Sequence, residues 1–478
     1  MTTQLGRQRT LFRYGNLLVL LFFFTSPLVN PWVRGDGVGY YAYARSLLID
    51  HDLRFEEEWQ AANPTFKMGR LDSNNQLRAD QYTSTGHVAN HFSVGPAMLW
   101  APFLMVVHLV VLGVNKLGAH IPADGYSSPY LITMALATAT YGFLGLYLSF
   151  RLARKYYEER WAFLATLGIW FASSLPVYMY FNPSWSHAHA AFAVSLFLFY
   201  WHRTRRQRSP KQWVLLGACS GLMIEVYYPN AVFLLIPVLE ALAAYWRALG
   251  KNGAAVGRLL SAHALYCLAG LIAFLPTLIT RKIIYGRALE FGYEEKWFWT
   301  APALKNVMFS ANHGFLSWTP ILIFAVLGLY LFRKADRQMA AYLGVVFLAF
   351  TYLIGSYEDW HGISSFGNRF FVSLTPVFVL GLTASVAAFA GLFERRERAL
   401  TAAGLVTGMF VLWNAGLMFQ WGTHMIPARG AISWRKMAYN QVAVVPVRVT
   451  YTLKTYLVRR KLLMERIEQQ DLKQLQSN

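Results

Sequence analysis

The chain has 478 residues, of which 55% are hydrophobic and 14% charged, against about 25% charged in ordinary soluble domains. That balance excludes a soluble globular enzyme and points to a polytopic membrane protein. The formal net charge of +20 raises nucleic acid as a partner, but the basic residues fall in short clusters between apolar runs, as positive-inside loops do. No nucleic-acid partner is expected.

Arg7, Arg9 and Arg13 precede the first apolar run, and no small-residue cleavage pattern follows it, so residues 14–29 read as an uncleaved first span. Further runs, each close to the roughly 20 residues that cross a bilayer, cover 129–150, 161–180, 187–201, 213–228, 231–246, 259–280, 314–332, 339–356, 371–393 and 400–421. Cys219 and Cys267 lie inside such runs, without metal-ligand spacing.

A twelfth run, 94–114, is also long enough to cross. Counting it as a crossing would place the basic loops RLARKYYEER, HRTRRQRSPK, RALGKNGAAVGR, RKADR and ERRER outside, against the orientation rule. It is therefore expected to be a re-entrant or interfacial helix, its ladder broken by Gly95-Pro96 and Pro102. The fold class is all-α, with about 11–12 transmembrane helices and interfacial or re-entrant helices in a first extracytoplasmic loop, 30–128. Residues 1–421 form the membrane domain. In the tail, 422–478, Pro446, Arg448 and Lys454 argue for an amphipathic surface helix over a further crossing.

With this topology the polar and aromatic residues capable of chemistry collect on the outer face. Asp36 lies between Gly35 and Gly37, where a substrate has room to approach. The following VGYYAYARSLLI reads as a surface helix with Asp36 as its N-cap, an end that favours the ionised, proton-accepting form. Capping alone would also explain the residue.

Asp50, Asp52, Glu56, Glu57 and Glu58 are candidates for a divalent cation or for a solvated acidic surface. His87 and His91 have the i, i+4 spacing of a helical metal pair. Glu225, within a span, is a functional candidate because a buried acid in a membrane is costly, and Tyr228 and Asn230 follow at the rim. Arg369 is the cation of its loop and suits bidentate phosphate binding. Asn312 and His313, with Trp318 and upstream Glu294 and Glu295, suit a sugar site, since aromatic faces stack on pyranose rings. Tyr40 and His361 complete the outward set.

The strings GDGVGYYAYARSLL, NHFSVGPAMLWAPF, YYPN, SANHGFLSWTP and WHGISSFGNRFFVSLTP, in this order after a first span, resemble the GT-C glycosyltransferases, the superfamily of protein O-mannosyltransferases and the lipid A aminoarabinose transferase. The resemblance implies a polyprenyl-phosphate-linked sugar as donor, an acid in the first outer loop acting on the acceptor, and a site on the outer face of a plasma membrane. By position, Asp36 matches that acid. The donor phosphate would be held by Arg369 and Arg34, with Tyr40, His91, Glu225, Tyr228, Asn230, Asn312, His313 and His361 around the substrates. The superfamily acid often stands beside a second acid, here replaced by glycines, so a divalent cation stays an open cofactor and the acceptor, whether glycan, lipid or protein, is unassigned. The alternatives are a secondary transporter, which would show paired halves and mid-depth ionisable residues, and a glycan ligase using a lipid-linked donor.

Overall fold

The structure, a computed structural model, describes residues 14–248, 253–292 and 295–476. Helices of ten residues or more are numbered α1 (Tyr14–Thr25), α2 (Asp36–Arg45), α3 (Gly95–Lys116), α4 (Ser128–Ala153), α5 (Glu159–Phe171), α6 (His187–Thr204), α7 (Pro210–Val226) and α8 (Leu235–Ala248). There follow α9 (Gly253–Tyr285), α10 (Ile321–Phe332), α11 (Arg337–Ser356), α12 (Thr375–Ala390), α13 (Arg396–Gly422), α14 (Val445–Val458) and α15 (Arg460–Gln476). The described residues hold no strand, only three isolated bridges.

Among the described residues, seven helices are long and apolar enough to cross a membrane. Two of the other expected spans are interrupted, each for an identifiable reason. The run 161–180 stops at Phe171 and resumes as a π-turn at Val177–Phe181, because Pro176 cannot continue the ladder. Pro320 interrupts 314–332 in the same way. Helix starts carry their own signals: Ser209 and Gln212 form a reciprocal capping box on α7, and the Asp336 carboxylate accepts the Met339 amide on α11.

The segment Arg369–Ala390, which ends in α12, is the most enclosed of the seven, 89% of its apolar window being buried. Around α12 pack α4, α5, α10 and α13. A Cβ on Gly328 of α10 would meet the Gly381 carbonyl of α12 at 1.8 Å, so the two backbones touch where only hydrogen fits.

The basic loops gather at one end. Arg205 pairs with Asp336 and Arg396 with Glu158, each joining two different loops or helix ends, while Arg208 reaches Glu240 within α8.

Helix α3 is unbroken, contrary to expectation. Pro102 lies inside it without ending it, since one lost hydrogen bond is tolerable in a long apolar helix braced by neighbours. Its partners set its depth. Leu99 and Trp100 bond Tyr141 and Thr138 in mid-α4, while His108 reaches Tyr130 near the α4 start. Thus α3 runs antiparallel to the far half of α4 and begins beside Val226, where Ser93 donates to its carbonyl. It does not extend to the basic end.

Candidate active site

The chain enters the site through Trp32, Arg34 and Gly35. Gly35 adopts φ +53, a left-handed conformation that favours glycine, and it, not Asp36, is the N-cap of α2. Asp36 is the first helical residue and makes no capping bond. Helix α2 is not on the surface either: every residue from Gly37 to Arg45 is buried. The flanking glycines serve packing and not substrate access, since a Cβ on Gly37 would lie 1.9 Å from Ser184 Oγ and one on Gly39 1.9 Å from Phe92.

With its helix buried, Asp36 turns its carboxylate into a cavity of about 1390 Å³. There its Oδ2 lies 2.9 Å from Arg369 Nη2. The Arg369 guanidinium stacks 4.5 Å above the Trp185 ring, whose Nε1 donates to the Arg34 carbonyl at 3.0 Å. One tryptophan therefore holds both the turn bearing Asp36 and the cation facing it. Buried Nε of Arg369 has no hydrogen-bond partner among the described residues, which leaves part of its fork available.

Tyr40 lines the same space and accepts from Ser186 at 2.9 Å. Burial, then the Asp36 carboxylate, push its phenol above its ordinary range. His91 also lines the cavity; burial lowers it below its ordinary value, opposed by the carboxylates of Asp36 and Glu295. Its backbone is clamped by fully buried Arg281, which donates to the carbonyls of Asn90 and Phe92 on either side and to the Tyr228 hydroxyl.

Of the residues expected to hold substrates, Arg34, Tyr40, His91, Tyr228 and Arg369 line the cavity with Asp36. Arg34 is engaged: it pairs with Asp471 at 2.5 Å, lies 3.8 Å from Glu468 and stacks over Trp32. Five others do not line it. Glu225 is sealed between α7 and α9, accepting from Thr277 at 3.0 Å, and Asn230 ties its amide to the Met223 carbonyl at the end of α7. Asn312 and His313 lie behind the wall, where His313 stacks on Trp318 and burial, then His361 and Arg369, push it down to about 3. His361 stands one step back, 3.9 Å from the cavity-lining Asp359. Glu294 lies outside the described residues.

The metal readings do not hold. His87 and His91 lie in a loop and not on a helix. Of the acidic run, Asp50, Glu57 and Glu58 pair with the buried Arg45, and Asp52 accepts from Ser46. Asp50 and Glu58 are thus engaged by Arg45 inside the protein, while Glu57 pairs with it from the solvent-exposed side. No group of three or more His, Cys, Asp or Glu among the described residues can hold a metal, and the near neighbour of Asp36 is a guanidinium, which disfavours a cation there. No step below passes through one.

Several cavity residues gave little warning. Arg70 stacks on Phe66 at 4.1 Å and donates to its carbonyl, with no carboxylate in ion-pair reach among the described residues. Trp185 sat unremarked in NPSWSH. The C-terminal helices add Leu453, Tyr456, Met464 and Ile467 to the lining, the Tyr456 ring lying 5.8 Å from that of Phe181.

No protein-family model matches the chain, and no curated protein does. Among solved structures it is similar to the archaeal oligosaccharyltransferase AglB from Archaeoglobus fulgidus, in complex with an inhibitory peptide and a dolichol-phosphate, at 13% identity and a TM-score of 0.46, covering 96% of this chain. It is also similar to ArnT from Cupriavidus metallidurans in the apo state, at 14% identity and a TM-score of 0.44, covering 85% of this chain. The chain spans 56% of the length of the first and 70% of the second.

Proposed function

We propose that the protein transfers a sugar from a polyprenyl-phosphate donor to an acceptor hydroxyl at the extracytoplasmic face, by an inverting single displacement. The observation that carries this reading is the Asp36–Arg369 pair, 2.9 Å apart, in a cavity lined by both polar and apolar side chains. A lipid-phosphate sugar needs that combination: a cation for the phosphate, a base for the acceptor and apolar surface for the lipid.

In the step, the acceptor hydroxyl oxygen attacks the anomeric carbon while Asp36 takes its proton. The bond from that carbon to the phosphate oxygen breaks, and the lipid phosphate leaves with the electron pair. Arg369 stabilises the departing charge, and Arg70, lacking a carboxylate partner, is placed to share it. Arg34 is less suited to this task because Asp471 already occupies it.

The test is to incubate purified protein with a panel of polyprenyl-phosphate sugars and to follow release of the lipid phosphate, with and without chelator. Asp36→Asn is expected to lower transfer by at least about 100-fold, at the low end of what general-base catalysis supplies, with the melting temperature nearly unchanged. Near-normal transfer by that variant would refute the assignment.

A further inference from the structure

A second cavity, of about 280 Å³, lies at the basic end of the bundle and is lined by Arg151, Arg154, Lys155, Phe199 and Arg203. Its walls are the end of α4, with the turn after it, and the last turn of α6. Positions 199 and 203 share one face of α6, and they meet Arg151 at the end of α4 and Lys155 in the turn after it. The Arg151 guanidinium lies 5.5 Å and the Lys155 ammonium 5.9 Å from the same Phe199 ring.

No carboxylate lines this pocket. Arg154 reaches Glu159 at 3.3 Å, but Arg151, Lys155 and Arg203 have no ion pair among the described residues, whereas nearby Arg205 and Arg208 are paired with Asp336 and Glu240. The C-terminal dipoles of two helices offset part of the mutual repulsion. A bound anion would remove the rest.

The pocket continues an apolar surface. Exposed Ile132, Leu136 and Leu144 descend one face of α4, and Arg151, seven residues beyond Leu144, prolongs it. We propose that this pocket binds the phosphate headgroup of an anionic phospholipid, its acyl chains lying along that face of α4. A free phosphate would use the cations but not the apolar stripe. A zwitterionic headgroup would bring its own cation against the protein's. The site is separate from the Asp36 cavity and does not depend on glycosyl transfer.

The test uses the full chain in detergent micelles, with lipid binding read by native mass spectrometry and by the shift in melting temperature. The probes are a phosphatidylglycerol, a phosphatidylcholine with the same chains, and inorganic phosphate. Phosphatidylglycerol is expected to bind and stabilise, and the other two are not. Each cation removed should weaken binding about fivefold, so Arg151→Gln/Lys155→Gln/Arg203→Gln should lose roughly 100-fold. Arg333→Gln/Lys334→Gln, which removes two cations outside the pocket, should lose nothing. The lipid-free melting temperature of each variant separates lost binding from misfolding, and a misfolded triple variant would be replaced by the single Lys155→Gln. Equal binding of phosphatidylcholine, an equal effect of inorganic phosphate, or an equal loss in the Arg333/Lys334 variant would overturn the proposal.

Discussion

The carboxylate of Asp36 is ion-paired before any substrate arrives. Arg369 occupies its Oδ2; a donor phosphate competing for Arg369 would free that oxygen for the acceptor hydroxyl. Donor binding and base activation are therefore coupled in the proposed reaction, and the cations not yet engaged do the first binding. On that argument Arg70→Ala should weaken binding of a sugar-free polyprenyl phosphate by about tenfold or more, the worth of a charge-assisted hydrogen bond. Arg34→Ala should change it little, because Asp471 already satisfies that guanidinium. Binding titrations on the purified variants read both, and a larger loss at Arg34 than at Arg70 would reverse the assignment. Asp36 and Arg369 were legible in the sequence, one as an acid after the first span and the other as the cation of its loop. Arg70 was not, since what distinguishes it is a place on the cavity wall without an ion-paired carboxylate among the described residues, and that is a tertiary fact. Glu225 misled for a related reason: a buried acid within a span is costly, but this one faces Thr277 of the neighbouring α9 and not the cavity.

Among the elements, the C-terminal helices depart furthest from the sequence reading. Val447, Tyr451 and Val458 on one side of α14 are exposed. The other side of these helices, however, closes the main cavity, and polar contacts to the first loop fasten it. Asp471 bonds Arg34 and His424, and Glu468 accepts from Asn63 and from the Thr65 amide. Tyr456 and Arg460 reach the carbonyls of residues 27–29. None of these pairs is close in sequence, so no local pattern announces them. Burial pushes the Asp471 carboxyl up, but the His424 hydrogen bond and Arg34 outweigh it and hold it below the usual carboxylate range. Docking through Asp471 is then fully present above about pH 4 and is lost as the pH falls through the depressed value. Asp471→Asn should cost α15 about 2 kcal/mol of docking at pH 7. Hydrogen exchange across Arg460–Gln476 measures it, and amide protection in the variant equal to that of the parent would show that the latch carries no weight.

At the scale of the whole molecule, charge parity in the sequence placed every basic loop on one side by denying α3 a crossing. The structure brings the described loops together through Arg205–Asp336 and Arg396–Glu158 and starts α3 midway along α4, away from that end. The same arithmetic missed the continuity of α3, because counting charges constrains where a helix ends and says nothing of whether a proline inside it is tolerated. If the basic end faces the cytoplasm, single cysteines replacing Arg206 or Arg396 should react with a membrane-impermeant maleimide only after cells are opened. A cysteine replacing Asn74, exposed in the first loop, should react in intact cells. The native Cys219 and Cys267 lie within α7 and α9, so both are replaced by serine to remove background. Labelling of Arg206 and Asn74 replacements from the same side would require α3 to be a full crossing, and would place the Asp36 cavity and the basic lipid pocket on faces other than those argued here.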